Sequence, residues 1–229
     1  MPPPATTPPT MDERAHGIIL RVRPLTESSL IVHWLTPEAG RLATVAKGAR
    51  RPKSPFLGKL DLLLSADFSF QRSRKSDLHV LREVVVTDRR SHLVTQLQAL
   101  RIAAYAVACV EQATETDTPI PEVHELFADL LTYLGTHPPT ARAVLAFELK
   151  LLACLGLEPD PAETRLPSAA AHLAQELLDT DWMDLPDLVA APTDARAVRQ
   201  FLHGFLIFHL GKLPKGREEA LHPLPSPPS

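Results

Sequence analysis

A chain of 229 residues, 45% hydrophobic and 22% charged, can bury one large core or two modest ones, and it is too apolar to be an unfolded polyelectrolyte. No uncharged apolar run approaches the roughly 18 residues of a membrane-spanning helix, and the two cysteines, Cys109 and Cys154, are too few and too far apart for a disulfide framework. The formal net charge of −3 hides a division: residues 1–90 hold 15 Lys+Arg against 9 Asp+Glu, and residues 91–229 hold 9 against 18.

Such asymmetry points to a polyanion-binding N-terminal part and an acidic C-terminal part. The 23 prolines crowd both ends, so residues 1–14 and 220–229 are expected to be unpacked tails. The first tail has neither a basic start nor an apolar run, and a soluble, cytoplasmic protein with reduced thiols is expected.

Period-two alternation predicts five strands: Gly17–Arg23, Leu30–Thr36, Arg41–Lys47, Leu60–Gln71 and Leu78–Thr87. The second and third are joined by Pro37-Glu38-Ala39-Gly40, whose glycine suits a hairpin turn. Five short antiparallel strands over residues 15–89 must hide their edges, and a partly closed barrel of the OB or SH3-like type does so most economically, with the OB-fold favoured. A flat sheet lying on the following helices is the structural alternative.

Past residue 90 the period lengthens to about 3.6, predicting an all-α domain over 90–219 and an α+β chain overall. Helices are expected at Leu93–Gln112, Pro121–Gly135, Thr140–Leu155, Ser168–Thr180 with Ser168 as cap, and from a Thr193 or Asp194 cap to Gly211. The last carries Val198, Phe201, Leu202, Phe205, Ile207, Phe208 and Leu210 around most of its girth, so it is expected at the centre of the bundle, the favoured reading, or partly covered by a partner.

The sequence contains no phosphate-binding Gly-x-x-x-x-Gly-Lys-Ser/Thr loop and no Gly-x-Gly-x-x-Gly turn, so function without ATP or a dinucleotide is expected. His124-Glu125 begins like a zinc-protease helix, but Ala128 stands where the second ligand belongs, and His124 is read as a surface or boundary residue. His203 and His209 do not share a helix face. No catalytic constellation remains, and a non-enzyme without cofactors is expected.

The run Lys47-Gly48-Ala49-Arg50-Arg51-Pro52-Lys53 places four positive charges in seven residues between two strands. Phosphate neutralisation needs cations and exposed backbone donors near a rigid edge, and this loop supplies both. Arg72, Arg74 and Lys75 form a second cluster in the turn between the last two strands, and the two loops are expected at one end of the barrel, as banks of a groove. Of Trp34, Phe56, Phe68 and Phe70, most must fill so small a barrel, and packing is favoured even for Phe56.

The segments Gly17-Ile18-Ile19-Leu20-Arg21-Val22-Arg23-Pro24, Glu27-Ser28-Ser29-Leu30-Ile31-Val32, Thr36-Pro37-Glu38-Ala39-Gly40-Arg41-Leu42 and Ala46-Lys47-Gly48-Ala49-Arg50-Arg51 with Lys53-Ser54 resemble the N-terminal domain of the RecO recombination mediators in order and spacing. His209-Leu210-Gly211, Leu213-Pro214 and Arg217-Glu218 are similar to that family's closing motif. The resemblance implies an OB-fold and a helical domain that bind single- and double-stranded DNA and anneal complementary strands. It also implies that the protein acts with RecR to help RecA replace single-strand-binding protein.

Family DNA contacts carried over by position fall on Lys47, Arg50, Arg51 and Lys53. The helical domain would receive the acidic, phenylalanine-ended tail of single-strand-binding protein, with Arg142, Lys150 and Arg199 as candidate cations for a basic rim. Many relatives carry a four-cysteine zinc module after the segment matching Leu155–Asp160. Residues 161–190 contain no cysteine here, so zinc is not expected. An OB-fold RNA-binding factor and a non-enzymatic protein scaffold are the alternative functions.

Overall fold

The computed structural model describes residues 12–159 and 165–222. Of the proline-rich ends expected at 1–14 and 220–229, residues 1–11 and 223–229 lie outside the described residues. The chain divides into two compact units, one running to Arg89 and including Thr116–Pro119, the other made of Arg90–Glu115 and the residues from Ile120 onward.

The first unit is a closed five-stranded barrel of β1 (Glu13–Pro24), β2 (Leu30–Thr36), β3 (Gly40–Ala46), β4 (Ser65–Gln71) and β5 (Leu78–Asp88). The order around the barrel is β1-β2-β3-β5-β4, with β3 and β5 parallel and every other pair antiparallel. This is the OB-fold order; closure leaves no free edge, and the flat-sheet alternative is set aside. β1 closes the ring because it is long: Glu13–Ile18 pairs with β4 and Ile18–Pro24 with β2, through a bulge between Ile19 and Arg21. Glu13 and Arg14 fall within the tail expected at 1–14, having no apolar alternation; pairing with Phe70 and Ser69 of β4 orders them in the strand instead.

β4 begins five residues later than expected. Leu62, Leu63 and Leu64 break the alternation, Asp61 accepts its neighbour's Leu62 N–H (2.8 Å), and Leu63 adopts φ 65°, so Leu60–Leu64 turns rather than extends. The turn is stitched to β1 through Leu63 N–H to Ile19 O (2.9 Å) and Ile19 N–H to Leu64 O (3.0 Å).

The barrel core gathers Ile19, Val32, Leu42, Leu81 and Val84 around Trp34, which stacks on Phe68 at 4.0 Å. Trp34 Nε1–H donates to Thr44 Oγ1 (2.9 Å), satisfying the one polar atom that this buried indole carries. Gly40 closes the β2–β3 hairpin at φ +66°, and a Cβ there would lie 2.1 Å from Thr118 O. Gly40→Ala is therefore expected to destabilise the fold by at least about 1–2 kcal/mol from backbone strain alone, read as a lower urea midpoint with an unchanged slope.

The second unit consists of α1 (Leu97–Ala113), α2 (Pro121–Thr136), α3 (Ala141–Cys154), α4 (Ser168–Asp179), α5 (Pro192–Leu210) and α6 (Arg217–Leu221). Leu93–Thr95, expected in the first helix, is a separate 3-10 turn because Gln96 is extended. Pro167 and Ala191, rather than Ser168 and Thr193 or Asp194, are the caps of α4 and α5, since proline takes the first position of α5 and its missing N–H costs nothing there. Ala220 and Leu221, assigned by sequence to a tail, are buried in α6.

The central helix is α3, not α5. Ala143 through Leu149, Leu151 and Leu152 are all buried. On α5 only Val198, Leu202 and Leu206 are buried, while Phe208 is 82% exposed. His124, read from sequence as a surface or boundary residue, is 9% exposed on the inner stripe of α2 beside Val123 and Phe127. Among the described residues no helix is long and apolar enough to cross a membrane.

Candidate nucleic-acid interface

After Ala46 the chain leaves β3 as a series of tight turns rather than a floppy loop. Arg51 N–H donates to Gly48 O (3.1 Å), Ser54 N–H to Arg51 O (3.0 Å) and Lys59 N–H to Phe56 O (3.0 Å). Gly48 turns at φ +68°. Ala49 and Phe56, each 7% exposed, plug the segment into the barrel core, so Phe56 packs rather than offering a stacking platform. Arg50 N–H reaches Ser28 O (3.0 Å) and Gly48 N–H reaches Ser29 Oγ (3.4 Å), tying the segment to the β1–β2 turn. Between these anchors Lys47, Arg50, Arg51 and Lys53 are exposed, and none forms an ion pair among the described residues. The four cations are brought together on one stiff arch.

The second cluster is placed differently from expectation. β5 starts opposite Ala43, so the turn at 72–77 lies off the early end of β3, whereas Lys47 follows its late end. The two loops stand at opposite ends of the β3 strand, roughly 20 Å apart at the ordinary rise per residue. They bracket a face instead of sharing one end of the barrel. Arg74 and Lys75 are exposed at the far tip, in a turn braced by Lys75 N–H to Ser73 Oγ (3.2 Å).

Arg72 does not join them. Its guanidinium is held by Glu13 (Nε–Oε1 3.0 Å) and Asp117 (Nη1–Oδ1 2.9 Å), and those hydrogen bonds raise its already high pKa. Asp117 also donates its N–H to Arg41 O (2.9 Å), so Arg72 fastens Thr116–Pro119 to the barrel. These partners lie 59 and 45 residues away in sequence, which no local pattern could have signalled.

Beside Arg72, His79 is buried, stacks on Phe70 at 5.4 Å and accepts the Ser73 N–H at Nδ1 (3.3 Å). Desolvation, then the Arg72 charge, lowers its pKa below the usual 6.5. The folded imidazole therefore stays neutral where the unfolded one takes up a proton, and stability falls as pH drops below about 6.5. The His79→Gln variant is expected to lose that part of the pH dependence, measured as the difference in melting temperature between neutral and mildly acidic buffer.

Between the loops, the outward positions of β1, β2 and β3 contribute Arg21 and Arg23, both exposed, and His33, whose Nε2 sits 2.9 Å from Arg23 Nη2. The period-two pattern that predicts the strand puts Arg21 and Arg23 on its outer side, a signal that charge spacing within loops does not carry.

Two family models match this chain: recombination protein O N terminal over residues 11–90, and recombination protein O C terminal over residues 94–164. A DNA repair protein RecO from Anaeromyxobacter sp. (strain K) is 35% identical over 232 residues, covering 86% of this chain and 91% of the relative. The chain belongs to the RecO family. Other members with the same name are 31% identical in Rhodopirellula baltica and 33% identical in Actinobacillus pleuropneumoniae serotype 7, over 62% and 61% of this chain. Those matches span 53% and 57% of the two relatives' lengths, little more than half.

In the segment that resembles the RecO family's closing motif, Arg217 is 2% exposed and forks onto Glu148 at the core of the helical unit (2.7 and 2.8 Å), where Tyr105 Oη–H also donates to Glu148 (2.5 Å). The motif residue is a structural clamp on α3. The basic rim expected from the other helical cations does not form. Arg142 donates to Leu185 O and Pro186 O (2.8 Å each), and Lys150 donates to Leu178 O (2.6 Å), with burial lowering its pKa. Arg199 is paired with Glu218. Each long cation found a local acceptor that a sequence does not display.

Cys109 is buried and Cys154 half-buried, on different helices, and no three His, Cys, Asp or Glu side chains gather among the described residues. The residues there do not fit the zinc module of RecO relatives.

Proposed function

We propose that this chain is a non-enzymatic recombination mediator that binds single- and double-stranded DNA across the outer face of β1, β2 and β3. It anneals complementary strands and, with RecR, helps RecA replace single-strand-binding protein. The observation that carries this reading is the stiff arch bearing Lys47, Arg50, Arg51 and Lys53 without carboxylate partners among the described residues, beside Arg21 and Arg23. Arg74 and Lys75 extend the positive track at the far end; Arg72 is withdrawn from it by Glu13 and Asp117.

Neutralising phosphates releases counterions and lowers the repulsion between two complementary strands, which favours both binding and annealing. With about four to six phosphates covered, the log-log salt slope for single strands is expected near −3 to −4. The reading is tested by annealing of complementary strands coated with cognate single-strand-binding protein, without ATP. Acceleration proportional to added protein is expected; a rate no faster than spontaneous annealing, or a flat salt response, overturns it. The acidic helical unit contributes protein contacts, with the tail of single-strand-binding protein as the partner to titrate.

A further inference from the structure

We propose that a groove of the helical unit, lined by α2 and the ends of α3 and α4, docks a lysine- and arginine-bearing amphipathic segment of a partner protein, a contact additional to DNA binding.

Glu122, Glu125 and Asp129 stand three and four residues apart on α2, so they share one stripe of that helix. Asp181, just past α4, lines the same hollow. All four carboxylates are exposed, and none forms an ion pair among the described residues. Carboxylates on a helix surface are ordinarily a solvated face. These instead rim a hollow of about 360 Å³ with an apolar floor of Leu126, Ala153, Leu178 and the half-buried Trp182. The Trp182 ring rests against Tyr133, 5.5 Å between centroids, which fixes its position in the floor.

Lys150 also lines the hollow, but its ammonium donates to Leu178 O (2.6 Å) and pairs with none of the four carboxylates. The rim is left unneutralised. Asp129 registers this: burial, then the Glu125 charge, raises its pKa above the ordinary carboxylate value. A negative rim over an apolar floor attracts a segment that brings cations and can also bury an apolar side chain. Trp182 adds a ring face for an ammonium or guanidinium. From Glu122 to Asp129 the stripe runs roughly 10 Å at the helical rise, which matches cations spread over two turns of a docked helix. An acidic tail meets like charge here.

The test uses the full chain and fluorescein-labelled peptides of about 12 residues that contain no Trp or Tyr. One carries leucines on one face and lysines and arginines three and four apart on the other; its counterpart has glutamate at every cation. The basic peptide is expected to bind at least about thirtyfold more tightly than the acidic one at about 0.1 M salt. It is also expected to shield Trp182 from acrylamide quenching. The other tryptophan, Trp34, is at 0% exposure inside the barrel, so the quenching signal belongs to Trp182. Glu125→Gln combined with Asp129→Asn is expected to weaken the basic peptide about tenfold. Both positions are exposed, so the fold is retained. Equal binding of the two peptides, an unshielded Trp182, or undiminished affinity of the double variant overturns the proposal. Displacement of the peptide by about 1 mM Mg²⁺ at constant ionic strength also overturns it, since the rim would then be a divalent-cation site. Oligo-dT binding, titrated on the same protein, tests the DNA-binding reading separately.

Discussion

Reversal of Lys47, Arg50 and Arg51 together to glutamate is expected to weaken binding of single-stranded DNA about a hundredfold at about 0.1 M salt, with the fold unchanged. Each phosphate contact on a single strand contributes roughly 0.7 to the log-log salt slope, so losing three makes the slope shallower by about two and removes about two decades of affinity at that salt concentration. The fold is expected to survive because the segment is held by Ala49, Phe56 and backbone hydrogen bonds to Ser28 and Gly48, none of which involves the three charged ends. Binding titrated across a salt series gives affinity and slope, and the far-ultraviolet circular dichroism melt checks the fold. Loss of affinity without a change in slope would mean that the arch acts through the fold and not through phosphates. A Lys47, Arg50 and Arg51 triple variant that binds normally removes the arch from the interface.

Breaking the Arg217–Glu148 clamp is expected to be the most destabilising single change in the helical unit. Both side chains are within 2% of full burial, the guanidinium forks onto both carboxylate oxygens, and Tyr105 donates to the same carboxylate. Removing one partner strands a charge away from water, at a cost of about 3–5 kcal/mol. For a chain of this length that is a fall in melting temperature on the order of 10 °C.

Arg217→Met alone and Glu148→Leu alone should each show this loss. The double variant should recover much of it, since an apolar pair of similar volume leaves no charge to solvate. Desolvation opposes the charged form of Arg217, yet the hydrogen bonds and charge of Glu148 outweigh it and raise its pKa, so Arg217 keeps its charge. A double-mutant cycle read by urea denaturation separates the pair's coupling from the packing of α6. Additive losses would show that the two residues act independently.

How much of this was legible beforehand varies with the range of the interaction involved. Strands and helices followed from period, since alternation of Val32, Trp34, Leu42 and Thr44 against His33 and Ala43 is a local property of a half-buried strand. The Gly40 turn was legible for the same reason. Where the period failed, so did the reading: Leu62–Leu64 looked like a strand because three leucines are apolar, but apolar residues without alternation can equally line a turn. The placement of α5 was misjudged because apolar content was taken for burial. Burial depends on what surrounds a helix: α3 is buried from Ala143 through Leu149, whereas α5 buries only Val198, Leu202 and Leu206.

The same distinction holds at the interface. Composition alone determined that the N-terminal part is the cationic one and that Lys47, Arg50, Arg51 and Lys53 crowd one connection, because charge and spacing are written in the chain. Which cations face solvent was decided only by tertiary structure: Arg72 found Glu13 and Asp117 across the barrel, and Arg142, Lys150 and Arg199 found carbonyls and a carboxylate within the helical unit. Ring order likewise could not be read locally, yet the parallel pairing of β3 with β5 is what sets the two basic loops at opposite ends of one face. A side chain's charge is intrinsic to it, whereas its partner is chosen by whichever groups the closed fold carries within a few ångströms.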